Sequence, residues 1–292
     1  MLIVAGTVPV EGMELTFGEA RLVGEEVCVG ERTVLPFQGT GAMLAAACAT
    51  TQYLGIEQPY ALLVGDTGKG EGSRLLYRFL EERIEEYKPT VLAMHYMMPV
   101  MGLMRRVVER CLSLPDTHLV ADAGAMYAAK AASLAHQFSI MTPDAGEMAF
   151  LADENATHPA YIRRHLVDGA SGRVVDLIKT AAEKGSLPKV LLVKGVVDYI
   201  VVDGEVVATV EEPDIGALEA VGGTGDTITG MVAAFLEGGL EPRDACILAA
   251  RSNRTAGLYA NITPSDRIIS LIHNLPKVFG DHLCRWSGIC FM

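Results

Sequence analysis

Residues 222 to 226, Gly-Gly-Thr-Gly-Asp, put a run of small residues and a carboxylate directly ahead of an apolar pattern. Ile228, Met231, Val232, Phe235 and Leu236 follow at the spacing of one buried helix stripe, and Gly238 and Gly239 supply a stop. The spacing predicts a glycine turn opening a buried helix whose first N–H groups have no partner within the helix, which is a ready anion site. Asp226 in that first turn reads most plainly as a cap. A cap, however, needs no glycines before it, whereas close approach of backbone to a ligand does. A carboxylate beside an anion hole and within reach of a hydroxyl has the makings of a general base. Gly222, Gly223, Thr224, Gly225 and Asp226 are therefore the expected chemical centre.

Other residues fall where a parallel sheet would carry them to the same place. Asp122 ends the apolar strand His118–Ala121, at the edge where open α/β sheets bind ligands. Asp144 and Glu147 follow Ser139-Ile-Met; ordinary helix-entry chemistry explains them, but they also set two acids on one face at the mouth of the sheet. Lys194 and Gly195 end the strand Lys189–Val193, with the lysine free to contact phosphate or solvent. Gly39, Gly41 and Ala42 open a second small-residue helix, either to admit a ligand or to let the helix pack tightly. The segment Gly65-Asp-Thr-Gly-Lys-Gly lacks the spacing of a phosphate-binding P-loop.

Short strand patterns alternating with helices argue for one doubly wound, mostly parallel α/β sheet flanked by helices over 1–292. Residues 12–38 read as short antiparallel strands and 152–172 as a polar surface insertion. The hairpin Asp198–Ala208 turns at Asp203-Gly204. A helix following the Gly65–Gly72 turn is expected to bury Leu75, Leu76, Phe79, Leu80, Ile84 and Tyr87, another to run from Pro242 to Tyr259, and a last one from about 266 to 275 before a loose tail. The formal charge of −12 argues against a nucleic-acid or anionic-membrane footprint. No apolar run approaches the length of a membrane span, and the first residues read as a strand, not a signal peptide. The six cysteines lack paired-ligand spacing; Cys284 and Cys290 with His282 are a minor metal candidate. A reduced, soluble, cytoplasmic protein is the expectation.

The Gly-Gly-Thr-Gly-Asp unit opening a long helix in the last third of such a chain resembles the ribokinase-like superfamily, over about residues 2–262. That resemblance implies a nucleotide, ATP or ADP, bound with Mg²⁺, and phosphoryl transfer to the hydroxyl of a small molecule. Asp226 would be the base and the Gly223–Gly225 amides the anion hole. It also implies a small β lid over the substrate from residues 12–38, a substrate-binding acid near Glu11, and an adenine pocket bordered by Asn253. Asp144 and Glu147 resemble the superfamily's Asn-x-x-Glu element, which organises Mg²⁺ through water. Met43 stands where sugar kinases keep a sugar-gripping Asn. Lys194-Gly195, Thr142-Pro143, Gly146-Glu147 and Asp122-Ala-Gly-Ala look like the NAD(P)H-hydrate dehydratases, in which loss of the phosphorylated hydroxyl follows. Those enzymes carry His where this chain has Asp144, and Gly-Pro-Gly-Leu-Gly where it has Met98-Pro-Val-Met-Gly. Val197-Asp-Tyr-Ile looks like the hydroxyethylthiazole kinases. A small-molecule kinase is the leading expectation, with the hydrate dehydratase and a non-catalytic nucleotide-binding regulator as alternatives. An exposed lid edge would favour pairing between copies of the chain.

Overall fold

A computed structural model describes residues 1–156 and 170–288. Its strands are β1 (Leu2–Val8), β2 (Thr16–Val23), β3 (Glu26–Val29), β4 (Arg32–Val34), β5 (Tyr60–Gly65), β6 (Val91–His95), β7 (His118–Ala121), β8 (Ile140–Met141), β9 (Val190–Val193), β10 (Asp198–Val202) and β11 (Glu205–Val210). The described helices are α1 (Thr40–Leu54), α2 (Glu71–Tyr87), α3 (Met101–Leu112), α4 (Ala123–Ala131), α5 (Ala145–Ala152), α6 (Val174–Glu183), α7 (Thr224–Glu237), α8 (Pro242–Tyr259), α9 (Ile268–Ile272) and α10 (Leu275–Ser287). One sheet runs β11-β10-β9-β8-β7-β6-β1-β5-β2-β3-β4. Its six central strands, β9 to β5, are parallel. Antiparallel strands close both edges. The short strands of 12–38 continue one edge, with β2 paired to β5 from Thr16↔Leu63 to Glu19↔Tyr60.

Successive residues of a strand face opposite sides, and β1 shows the consequence. Leu2 and Val4 join a core built with α1, α7 and α8, whereas Ile3 and Ala5 join one built with α2 to α6. The sheet is thus covered on both faces, which is why its central strands are apolar throughout.

Helices α1 and α7 approach closely because small residues meet between them. A Cβ on Gly230 would lie 2.1 Å from the Met43 carbonyl oxygen, inside any contact a backbone atom tolerates. Met43 itself is wholly buried there, so the position of the expected sugar-gripping side chain belongs to the core. We expect Gly230→Ala to destabilise the protein by about 1–3 kcal/mol through forced separation of α1 and α7. Chemical denaturation checks this, and unchanged stability would mean that the two helices yield freely.

Several expectations need correcting. Leu75 points to solvent, 46% exposed, while Ser73 and Tyr77 turn inward; helix phase follows the buried face of the whole helix, not the apolar count of one stretch. Tyr77 instead donates from its hydroxyl to the Met98 carbonyl, 3.1 Å away. The supposed tail is helix α10, whose Val278, Phe279 and Leu283 pack into the core. Cys284 is disulfide-bonded, against the reading of all six cysteines as reduced, and is thereby removed as a free metal ligand. Cys290 lies outside the described residues, as does 157–169 of the expected insertion. No described helix is long and apolar enough to cross a membrane.

Candidate active site

Strands β1, β6, β7 and β9 deliver Thr7, His95, Asp122 and Lys194 to one edge of the sheet, and the N-terminus of α7 enters between them. Gly223 caps that helix with φ at 97°, and no side chain caps it. The left-handed turn needs a glycine. It leaves the first-turn amides of Gly225 and Asp226 lining a cavity, since a helix offers its first N–H groups no internal acceptor. A Cβ on Gly225 would stand 3.3 Å from the Lys194 ammonium, so the glycine also admits the lysine.

Asp226 lines one of two neighbouring cavities and is bonded to a wall residue, Gly39, of the other. One, of about 330 Å³, is lined by Asp122, Asp144, Glu147, Lys194, Asn253 and Arg254 among others. The other, of about 550 Å³, is lined by Thr7, Gly39, Thr40, Met97, Met98 and Tyr127 among others, and Tyr96 lines both. One carboxylate oxygen of Asp226 accepts from the Gly39 amide at 2.5 Å and the other lies 3.0 Å from His95 Nε2. Burial raises the Asp226 carboxyl, but the hydrogen bond to His95, the Lys194 charge and the Gly39 amide outweigh it and hold the group below the usual carboxylate range. Asp226 is therefore an ionised acceptor at neutral pH.

Asp122 is buried and fully engaged. It receives two bonds from Lys194 Nζ (3.1 and 2.9 Å), one from the Thr229 hydroxyl at 2.6 Å, and one from the Ala123 amide at the start of α4. Burial works against the Lys194 charge, yet Asp122, Glu147 and Asp226 around it push its proton affinity up. The lysine is accordingly a fixed cation between three acids.

Asp144 and Glu147 form a reciprocal capping box at the start of α5: Asp144 Oδ1 accepts from the Glu147 amide at 2.7 Å and Glu147 Oε2 from the Asp144 amide at 2.9 Å. The helix-entry reading therefore holds, and both residues nevertheless line the cavity. Asp144 Oδ2 stands outside the box, and Glu147 Oε1 accepts from the Tyr127 hydroxyl at 3.0 Å. Burial and the nearby Asp122 charge push Glu147 up to about 7. Two carboxylates opening on a cavity, one of them raised by burial and by neighbouring acids, fit a hard divalent cation held partly through water.

The remaining wall of this cavity is set by a buried ion pair. Arg254 on α8 donates to Asp198 Oδ2 at 2.8 Å and to the carbonyls of Gly195, Val196 and Glu211 at 2.8, 2.8 and 3.0 Å. It thereby fixes the turn after Lys194. Asn253 accepts from the Thr227 hydroxyl at 2.7 Å, tying α8 to α7 while lining the cavity.

The structure thus brings together Asp226, Gly223, Thr224, Gly225, Lys194, Gly195, Asn253, Asp122, Asp144 and Glu147. Gly39 joins them as a donor to Asp226. Gly222 adjoins Gln38 beside the site, where a Cβ would meet the glutamine oxygen at 2.9 Å. Gly41 and Ala42 are packing positions: a Cβ on Gly41 would stand 2.8 Å from the Leu35 carbonyl, and Ala42 is buried against Gly223. Glu11 lies on an exposed loop 3.9 Å from Lys69, its side chain 85% exposed, and lines neither cavity. Sequence reading missed His95, Thr40, Tyr96, Thr229 and the Asp198–Arg254 pair. Of these, only His95 and Tyr96 carried a signal, a polar pair ending an apolar strand.

A family model described as NAD(P)H-hydrate dehydratase matches residues 100–277. An uncharacterised protein of Methanocaldococcus jannaschii is 34% identical over 241 residues, covering 82% of this chain and 100% of that protein. The ADP-dependent (S)-NAD(P)H-hydrate dehydratase of Xanthomonas campestris is 28% identical over 243 residues, 82% of this chain and 77% of that enzyme. Among solved structures, Bacillus subtilis YxkO superposes with TM-score 0.59 at 17% identity, over 98% of this chain and 92% of that one. Giardia lamblia ribokinase does so at 0.54 and 12%, over 98% and 99%. These two likenesses establish a ribokinase-like fold. With the family model spanning more than half of its residues, the chain belongs to the NAD(P)H-hydrate dehydratase family.

Proposed function

We propose that this protein is a nucleotide-dependent dehydratase that activates a hydroxyl by phosphoryl transfer and then eliminates it, with the hydrate of a reduced nicotinamide dinucleotide as acceptor. One observation carries the reading: an ionised Asp226, beside uncapped helix amides, lines the acid-walled cavity and accepts from Gly39 on the wall of the methionine-lined one. The kinase expected first shares the fold, but family membership supports the elimination step as well.

The acid-lined cavity takes the nucleotide, ADP or ATP, with its terminal phosphate at the Gly225 and Asp226 amides. The methionine-lined cavity takes the acceptor. Asp226 removes the acceptor's hydroxyl proton as its oxygen bonds to phosphorus, and the bond from phosphorus to the nucleotide's bridging oxygen breaks. Lys194 and the helix amides stabilise the charge that develops on the transferring group. Asp144 and Glu147 are suited to hold Mg²⁺, which would neutralise phosphate charge. In the second stage the carbon–oxygen bond of the new ester breaks, inorganic phosphate leaves, and the neighbouring carbon loses a proton to form the double bond.

A second reading, phosphorylation of a different alcohol without elimination, draws on Met97, Met98 and Pro99, which line the acceptor cavity. The assay is return of reduced nicotinamide from its hydrate with ADP or ATP and Mg²⁺, run beside a panel of vitamin and sugar alcohols. Phosphorylated alcohol with no recovered nicotinamide would replace the dehydratase reading by the kinase one. Nucleotide binding without turnover of either kind would favour the regulator.

A further inference from the structure

The base has a buried partner whose protonation can be read from its neighbours. His95 ends β6 with no exposed surface. On one side its Nδ1 lies 3.1 Å from the Thr40 hydroxyl, and that hydroxyl donates its one proton to the Thr7 carbonyl at 2.8 Å. A carbonyl only accepts, so the Thr40 oxygen is left to accept from an Nδ1–H. On the other side Nε2 faces the ionised Asp226 carboxylate at 3.0 Å, which also only accepts. Both ring nitrogens must then carry protons. The other charged group facing the ring is Asp122, 3.9 Å away and already paired with Lys194. The Tyr96 ring closes the remaining side edge-on, at 4.3 Å between centroids.

We infer that His95 is a positioning residue for the base: a buried imidazolium, locked by Thr40 and Thr7, that holds the Asp226 carboxylate ionised and aimed at the acceptor's hydroxyl. Being already doubly protonated, His95 cannot itself take the substrate proton. Its pairing with Asp226, at 3.0 Å, is a charge-assisted bond, stronger than a neutral donor would supply. As the proton reaches Asp226, the Gly39 amide still donates to the other oxygen, so the carboxyl keeps its orientation through the transfer.

The kinetic part of this inference rests on the proposed reaction, whereas its structural part does not. The test therefore begins without substrate. In ¹⁵N-histidine-labelled protein, one of the seven histidines should show two protonated ring nitrogens at neutral pH and vanish in His95→Gln. A single protonated nitrogen on that residue would overturn the inference. So would a neutral Asp226 donating to it, visible as a carboxyl carbon shift. In the turnover assay, His95→Gln replaces the cation by a neutral donor. We expect kcat to fall about tenfold and the acid limb of its pH profile to move to higher pH, because the carboxyl loses its counter-ion. KM and ADP affinity should stay unchanged. Thr40→Val, which removes the acceptor for Nδ1–H, should move the limb in the same direction by less. If both variants bind ADP and keep the wild-type pH profile, His95 is only packing. If the protein turns over no hydrate or alcohol at all, the nitrogen signals and ADP titration still decide the protonation claim.

Discussion

Asp226→Asn should lose turnover by roughly 10²–10⁴-fold, the range over which a positioned general base acts, and still bind nucleotide. The amide keeps the size of the carboxylate and can accept from Gly39 through its one oxygen. It cannot take the substrate's proton, and its NH₂ group would confront the donor on His95. The nucleotide contacts proposed for the Gly225 amide, Lys194 and the Asn253 wall do not pass through that carboxylate, so ADP affinity measured by calorimetry should change little. Turnover within a few-fold of wild type would remove Asp226 from the role of base. Loss of ADP binding in a folded variant would make it a nucleotide-holding residue instead.

The second large effect concerns the frame. Arg254→Met should destabilise the protein by about 3–5 kcal/mol, the cost of breaking a buried ion pair from one side. Asp198 would keep a buried carboxylate without its cation, and the carbonyls of Gly195, Val196 and Glu211 would each lose a donor. Even in the intact protein, burial lifts the Asp198 carboxyl above its ordinary value, with Arg254 pulling it back. The direction with pH follows. Removing the arginine lifts Asp198 further, so the deficit is greatest above the folded-state titration of Asp198. It shrinks in acid, below the ordinary carboxylate range, where Asp198 is neutral whether folded or unfolded. Urea unfolding at two pH values checks both size and sign. Adding Asp198→Asn to Arg254→Met should recover part of the loss, as expected for residues in contact. An equal deficit at both pH values would mean that the pair contributes packing and not charge compensation.

The legible part of this site was the part made of contiguous residues. A glycine run ahead of a helical stripe announces a helix N-terminus wherever it occurs, and strand-ending Asp122 and Lys194 announce the edge of a parallel sheet. The hidden part depends on which elements are neighbours. His95 and Asp226 are 131 residues apart, and only the packing of α7 against β6 brings them face to face. The Asp198–Arg254 pair likewise spans two elements whose contact no local pattern encodes. Gly41 and Ala42 went the other way: small residues signal close approach, but not whether the approaching atom belongs to a ligand or to Leu35. The helical tail was hidden because Leu275, Val278, Phe279 and Leu283 show a stripe that is short and interrupted by Gly280 and charged residues. Tertiary packing, more than propensity, sustains such a helix.

Elimination, not phosphoryl transfer alone, is what separates this account from a simple kinase, and one measurement addresses it. Purified protein is given NADH hydrate and NADPH hydrate with Mg²⁺ and either ADP or ATP, and the returning absorbance of the reduced nicotinamide is followed. Recovery that requires the nucleotide, releases inorganic phosphate in step with it, and is lost in Asp226→Asn is the predicted result. Hydrate left untouched by a protein that binds ADP and transfers phosphate to another alcohol would contradict it.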